Sequence, residues 1–129
     1  MNRLGVTPYS RELFDIKATF SDEQRKRYLI ENHTANLFVT FRAETLLKLM
    51  RFFISSKLTH FRFRSNDDTG KTTLIFNRDR HNGILAKFTK EYTSYSVYFT
   101  KENVDFMYEV MRSLWIEKEG TKPELEFNK

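Results

Sequence analysis

The sequence predicts an α+β domain with one antiparallel sheet of about five strands and with helices packed on one face of that sheet. Several short segments alternate apolar and polar residues, which is the two-residue period of a half-buried strand. Two longer segments repeat apolar residues every three or four positions, which is the period of an amphipathic helix. The segments between the last four strands are short, and short connections favour antiparallel neighbours.

The N-terminal part of the chain predicts a strand, a helix and a second strand. Phe14, Ile16, Ala18 and Phe20 alternate with polar residues and indicate a strand over 14–20. Ser21 with Gln24 three positions later has the pattern of a helix capping box, so we expect a polar helix over 22–32. A strand over 35–41 follows, with its apolar residues on one face.

Two amphipathic helices are predicted beyond residue 42. The first, over 43–56, has its apolar stripe built around four residues, namely Leu46, Leu49, Met50 and Phe53. The second, over 101–118, begins after Thr100 as its N-cap and ends at Gly120 and Pro123. Its main stripe consists of Val104, Met107, Met111, Leu114 and Trp115.

Four strands are predicted between these helices, over 58–65, 72–77, 84–89 and 92–99. Asn82-Gly83 is a strong turn signal between the second and third of them. From residue 35 onward the order β-α-β-β-β-β-α resembles one repeat of the fold of the TATA-binding protein. Since one repeat is half of that saddle, the resemblance implies that a homodimer would extend the surface.

The composition predicts one domain over 11–118, with a flexible arm at 1–10 and a flexible tail at 119–129. The 129 residues include no cysteine, which excludes disulfides, thiolate metal sites and cysteine nucleophiles and fits a reducing compartment. The sequence shows neither an apolar signal segment nor a membrane span. We therefore expect a cytoplasmic protein that has no membrane partner and no metal or other cofactor.

Positive charge is concentrated in the middle of the chain, although the net charge of the whole chain is only +5. Residues 42–64 contain six basic residues against one acid, whereas the chain from residue 101 onward has five bases against seven acids. This asymmetry favours a polyanionic partner for the central segment.

Alternation predicts which side chains of the sheet face away from the helices. Phe61 and Phe63 are expected to face inward, and the facing of strand 72–77 stays open between Leu74 with Phe76 and Ile75. The residues expected on the open face, which would contact phosphates and bases, are His60, Arg62, Arg64, Lys87, Tyr92, Tyr98 and Phe38. The residues expected around them are Arg78 and Arg80 in a loop, Arg42, and Lys48 and Arg51 on the first helix.

These features predict a small, non-enzymatic, regulatory nucleic-acid-binding protein, with DNA and RNA both open. The alternative is an inhibitor or adaptor that binds an acidic protein. It would use the same face or the last helix, where Phe106, Val110 and Ile116 lie off the main apolar stripe. Small, aromatic-rich proteins without recognisable motifs are common in phages and mobile elements, which fits this alternative. A third hypothesis is an enzyme in which His60 and His81 act as acid and base, but no third group accompanies them in the sequence.

Overall fold

The computed structural model describes residues 10–22, 25–65 and 71–125, within which the chain forms seven strands and two helices. The α+β class is therefore confirmed. In chain order the elements are β1 (Asp15–Asp22), β2 (Arg25–Asn32), β3 (Leu37–Arg42), α1 (Ala43–Ile54), β4 (His60–Arg64), β5 (Thr72–Arg78), β6 (Ile84–Lys90), β7 (Thr93–Phe99) and α2 (Lys101–Glu119). Both helices and the last four strands lie where the sequence predicted them.

The strands form two antiparallel sheets instead of the single five-stranded sheet that the sequence predicted. The three-stranded sheet has the order β1-β2-β3, and the four-stranded sheet has the order β4-β5-β6-β7. Strand β3 pairs with β2 at the edge of the three-stranded sheet and, among the described residues, pairs with none of the last four strands. The order expected from the TATA-binding protein repeat is therefore not reproduced.

The helix predicted over 22–32 was wrong, because β2 covers most of this segment. Tyr28 and Ile30 are completely buried, whereas Leu29 between them is only half-buried. In the sheet, Tyr28 lies opposite Ala18 of β1 and Phe41 of β3. The burial alternates with the period of a strand, and β2 has hydrogen-bonded neighbours on both sides. These two sets of pairings outweigh the local helix preference of the segment.

The core lies between the two sheets and the helices. Phe14, which precedes β1, has its ring 5.0 Å from that of Phe99 in an edge-to-face arrangement. It also contacts Phe76 and Phe88 in the middle of the four-stranded sheet. From α1, the Phe53 ring packs against the rings of Phe76 in β5 and Phe99 in β7, at centroid distances of 5.8 Å each. The inner face of the four-stranded sheet is thus covered by both the N-terminal part of the chain and α1.

Strand β5 resolves the facing that the sequence left open. Leu74 and Phe76 are completely buried on the inner face, and Ile75 lies on the outer face and is half-buried. The register places Ile75 between Arg62 of β4 and Lys87 of β6. The outer face therefore has an apolar residue between two cations.

Helix α2 begins and ends at the residues that the sequence indicated. The Thr100 side chain accepts a hydrogen bond from the backbone N–H of Asn103, and Gly120 ends the helix in the left-handed conformation at φ 80°. Near this end, the Tyr28 hydroxyl donates a hydrogen bond to the Glu119 carboxylate at 2.5 Å. Burial, followed by this contact, raises the pKa of Tyr28. The contact joins β2 to the end of α2.

Two further expectations concern the ends of the chain and the membrane. The predicted arm at residues 1–10 lies outside the described residues except for Ser10, and the predicted tail at 119–129 is described as far as residue 125. Neither helix in the described parts of the chain is long and apolar enough to span a bilayer.

Candidate nucleic-acid interface

The outer face of the four-stranded sheet carries the basic residues that the sequence singled out. We call this surface the basic face. It consists of twelve outward-pointing strand residues, none of which is acidic: His60, Arg62, Arg64, Thr73, Ile75, Asn77, Leu85, Lys87, Thr89, Ser94, Ser96 and Tyr98. All twelve are exposed or half-buried, because the helices and the three-stranded sheet pack against the opposite face.

Strand pairing arranges these residues in three rows that run across the sheet. The central row is Arg62, Ile75, Lys87 and Ser96. One flanking row begins at Arg64 and continues through hydroxyl side chains, namely Thr73, Thr89 and Ser94. The other begins at His60 and continues through Asn77, Leu85 and Tyr98. Cationic, hydroxyl and apolar residues thus occupy neighbouring strands, whose backbones are ~4.8 Å apart.

Arg62, Arg64 and Lys87, the arginine and lysine residues of the basic face, form no ion pair with the described carboxylates. No described carboxylate lies within 4.0 Å of the charged groups of Arg62, Arg64 or Lys87, although such pairs occur elsewhere, as between Lys101 and Asp105 at 3.0 Å. Like charges that lie close together on one sheet face repel each other. An anionic ligand would remove this repulsion.

Tyr98 lies at one end of the basic face and is held by a compact turn. Its hydroxyl donates a hydrogen bond to Asp79 Oδ2 at 2.6 Å, and Asp79 Oδ1 accepts from the amides of His81 and Gly83 at 2.9 Å each. Partial burial alone would raise the pKa of Asp79, but these three hydrogen bonds outweigh it, and the pKa is lowered. The ring of Tyr98 is therefore fixed and half-buried.

Arg78 does not contribute to the basic face, although the sequence grouped it with the phosphate-binding residues. Its guanidinium donates to the backbone carbonyls of Leu58, at 2.8 Å, and Phe52, and it lies 4.8 Å from the centre of the Phe52 ring. Burial lowers the pKa of Arg78. Its side chain joins Phe52 near the end of α1 to Leu58 before β4, and it thereby stabilises the connection between α1 and β4. Arg80, two residues later, is exposed in the turn.

Two of the predicted aromatic contacts lie elsewhere. Phe38 belongs to β3, so it lies on the three-stranded sheet and not on the basic face. Tyr92 is fully exposed in the two-residue turn between β6 and β7, where Glu91 has a φ of 54°. It lies past the last pair of the two strands, Lys90 with Thr93. Tyr98 is therefore the one aromatic residue among the twelve of the basic face.

The basic residues of α1 are on the other side of the four-stranded sheet. Because α1 packs through Phe52 and Phe53 on the inner face, the exposed Lys48 and the half-buried Arg51 cannot extend the basic face directly. Arg42, at the end of β3, is exposed and lies closer to it, since Arg42 and Arg64 line the same groove.

On α2, the three residues proposed as a partner surface differ in their exposure. Phe106 is 51% exposed, whereas Val110 is packed against the core and Ile116 is half-buried. The three therefore do not form one continuous exposed apolar patch. Their role in binding a partner stays a prediction.

The sequence analysis missed Leu85 and left Ile75 undecided, and both lie on the basic face. Leu85 is 41% exposed and faces Tyr98 across the β6–β7 pair. The signal was present in the alternation, because Leu85 lies between Ile84 and Ala86, which are both buried. His60 was expected to face outward and does, and its Nδ1 is 2.8 Å from Asn77 Oδ1.

No protein-family model matches the chain, and neither the curated proteins nor the solved structures give a significant match. Within the described residues, no group of three or more His, Asp or Glu side chains is placed to hold a metal ion.

Proposed function

We propose that this protein is a non-catalytic, single-stranded nucleic-acid-binding protein and that the basic face is its binding surface. The observation that carries the proposal is the charge of Arg62, Arg64 and Lys87, which form no ion pair with the described carboxylates, on a sheet face whose twelve outward strand residues include no acid. Guanidinium groups pair with phosphates in a bidentate geometry, and an ammonium group adds a point charge.

The spacing of the cations suits a phosphate backbone that crosses the strands. Arg62 and Arg64 are two residues apart on one strand, which is ~6.6 Å, and Lys87 lies two strands from Arg62, which is ~10 Å. Between them, the hydroxyls of Thr73 and Thr89 can donate to phosphate oxygens.

The apolar residues of the basic face favour single strands over duplexes. Ile75, Leu85 and Tyr98 occupy adjacent positions in two neighbouring rows, and they offer a surface against which unpaired bases can lie. A duplex presents its phosphates but keeps its base faces stacked inside, so it would leave these side chains uncovered. We therefore expect single-stranded DNA or RNA to bind more tightly than a duplex of equal length.

The test compares two charge-matched double variants in a fluorescence anisotropy titration of labelled single-stranded DNA and RNA. Arg62→Gln/Arg64→Gln removes two charges from the basic face, and Lys48→Gln/Lys122→Gln removes two exposed charges elsewhere. Losing two phosphate contacts should weaken binding about tenfold or more and should reduce the slope of log Kd against log salt by ~1.4. The control double variant should change neither quantity by a comparable amount.

Equal effects of the two double variants would show that only net charge matters, and they would refute the assignment to the basic face. Absence of binding by the wild-type protein at low salt, to DNA and RNA alike, would refute nucleic-acid binding itself.

A second candidate function is binding of an acidic protein, and the apolar pair Ile75 and Leu85 favours it. Apolar side chains surrounded by cations are also the pattern of an interface anchor with a charged rim. Competition separates the two functions. If the ligand is a nucleic acid, a generic polyanion such as heparin should displace it at low concentration. If the ligand is a protein anchored on Leu85, its affinity should instead fall mainly when Leu85 is replaced, as in Leu85→Ser.

A further inference from the structure

A groove next to the basic face is lined by two arginines, one of which also belongs to the basic face. It has a volume of about 260 Å³, and its lining consists of Phe41, Arg42, Glu44, Thr45 and Arg64. Arg42 is the last residue of β3 and Arg64 is the last residue of β4, so the two cations come from different sheets. The groove therefore lies where the ends of the two sheets meet.

Hydrogen bonds between the sheets fix this arrangement. The Thr40 amide donates to Ser65 Oγ at 2.9 Å, and the hydroxyls of Thr40 and Ser65 are 3.4 Å apart. Ser65 directly follows Arg64, and Thr40 precedes Arg42 by two residues. Because these contacts bring the ends of β3 and β4 together, they hold the backbones of Arg42 and Arg64 beside the groove.

The lining has the chemistry of a site for a phosphate group. Two guanidinium groups and the Thr45 hydroxyl are donors, and the Glu44 carboxylate is the one acidic side chain among the lining residues. At about 260 Å³ the groove has room for one phosphate group together with several waters, each of which takes ~30 Å³ in the liquid. The first turn of α1 begins at the same place and adds its positive end to this field.

Arg64 belongs both to this groove and to the basic face. Arg42 lies opposite Arg27 in the β2–β3 pair, so the groove borders the three-stranded sheet. We propose that the groove binds one phosphate of a nucleic-acid strand where that strand passes from the basic face over the end of β4. The inference rests on the proposed function, and it extends the binding path from one sheet to the junction of two.

The test uses Arg42→Gln, because this exposed side chain lies outside the basic face and makes no capping hydrogen bond at the start of α1. Titrations should use oligothymidylates of increasing length, from about 4 to about 16 nucleotides. For the long oligonucleotides, Arg42→Gln should weaken binding roughly fivefold and reduce the salt slope by ~0.7. For the shortest ones, which the basic face alone can hold, it should have little effect. Lys48→Gln is the matched control and should change neither.

Glu44→Gln provides a test of opposite sign at the same groove. Removing the carboxylate should tighten binding of the long oligonucleotides by a few-fold, because one repulsive charge near the phosphate is lost. Weaker binding by Glu44→Gln, or an Arg42→Gln effect of equal size at every length, would overturn the proposal. Thermal unfolding of each variant confirms that it is folded.

Titration with inorganic phosphate separates failure of this inference from failure of the proposed function. In nuclear magnetic resonance spectra of the wild-type protein, phosphate should shift the backbone amide signals of Arg42, Thr45 and Arg64. In Arg42→Gln, phosphate should leave the signals of Thr45 and Arg64 unshifted. Such shifts in a protein that binds no nucleic acid would leave the groove as an anion site and refute the nucleic-acid part. Binding of nucleic acid that is unaffected by Arg42→Gln, without phosphate shifts, would refute the groove alone.

Discussion

Gly83 lies under the ring of Tyr98, and replacing it with alanine should destabilise the protein through that ring. A Cβ at position 83 would be 2.0 Å from the Tyr98 hydroxyl oxygen and 2.6 Å from the ring carbon that carries it. Gly83 is not in the left-handed region, so the requirement for glycine here is one of space and not of backbone conformation. Tyr98 would have to move, and its hydrogen bond to Asp79 would be lost.

The size of the effect follows from the contacts that this movement breaks. The hydrogen bond to the Asp79 carboxylate contributes about 1.5 kcal/mol, the low end for a charged acceptor, because the site is partly exposed. Displacing the half-buried Tyr98 ring from its packing adds about 1 kcal/mol. Gly83→Ala should therefore lower the free energy of unfolding by about 2–3 kcal/mol, measured by urea denaturation at neutral pH.

A double-mutant cycle checks this mechanism. With Tyr98→Ala already present, the ring is absent, so Gly83→Ala should cost less than about 1 kcal/mol. The remainder reflects the Phe99 carbonyl oxygen, which would be 3.0 Å from the new Cβ. If Gly83→Ala costs the same in both backgrounds, the ring is not the obstacle and this reasoning is refuted.

Two pH-dependent predictions follow from the perturbed pKa values. The pKa of Asp79 is lower in the folded protein than in the unfolded chain, so ionised Asp79 stabilises the folded state above the unfolded-state pKa. Stability should fall as the pH drops through the folded-state pKa of Asp79. In urea denaturation, Tyr98→Phe should show a weaker dependence on acid pH. The raised pKa of Tyr28 has the opposite sense: its contribution is present below the unfolded value near 10 and is lost as the pH rises above it. Phenolate absorbance from Tyr28, identified by its loss in Tyr28→Phe, should therefore appear only together with alkaline unfolding; its appearance in the folded protein would contradict the contact with Glu119.

The parts of the fold that the sequence predicted correctly are those in which local periodicity and tertiary burial agree. In β6, Ile84, Ala86 and Phe88 are all buried, which matches the alternation expected there. In α2, the cap at Thr100 and the end at Gly120 were readable because capping depends on residues close in sequence.

Strand β2 was missed because its local sequence favours a different structure from the one that tertiary pairing selects. Three consecutive basic residues, 25–27, have good helix propensity, and the Ser21–Gln24 pattern imitates a helix start. The alternation becomes clear only at Tyr28 and Ile30, and its strongest cause is the pairing with β1 and β3. A single sequence contains no direct sign of such pairing.

The sequence predicted which basic residues share the outer face of the sheet, but it did not predict which other residues lie on or off that face. Arg62, Arg64 and Lys87 share a face because strand alternation is a local property. The role of Arg78 depends on carbonyls about 20 and 26 positions earlier in the chain, and the removal of Phe38 from the face depends on which sheet β3 joins. Both are consequences of the tertiary fold.

The position of Phe14 determines when the chain can complete its core during synthesis. Its ring contacts three strands, of which the last ends at Phe99, so this early residue has its full set of partners only after most of the chain exists. The three-stranded sheet and α1, which packs on β2 and β3, can form before then, but Phe14 lacks its contact with Phe99 until β7 exists. Contacts between such distant residues slow folding, since a large loop must close before they are made. The Phe14 ring therefore gains its last aromatic contact only when β7 has been synthesised, so this part of the core is completed late.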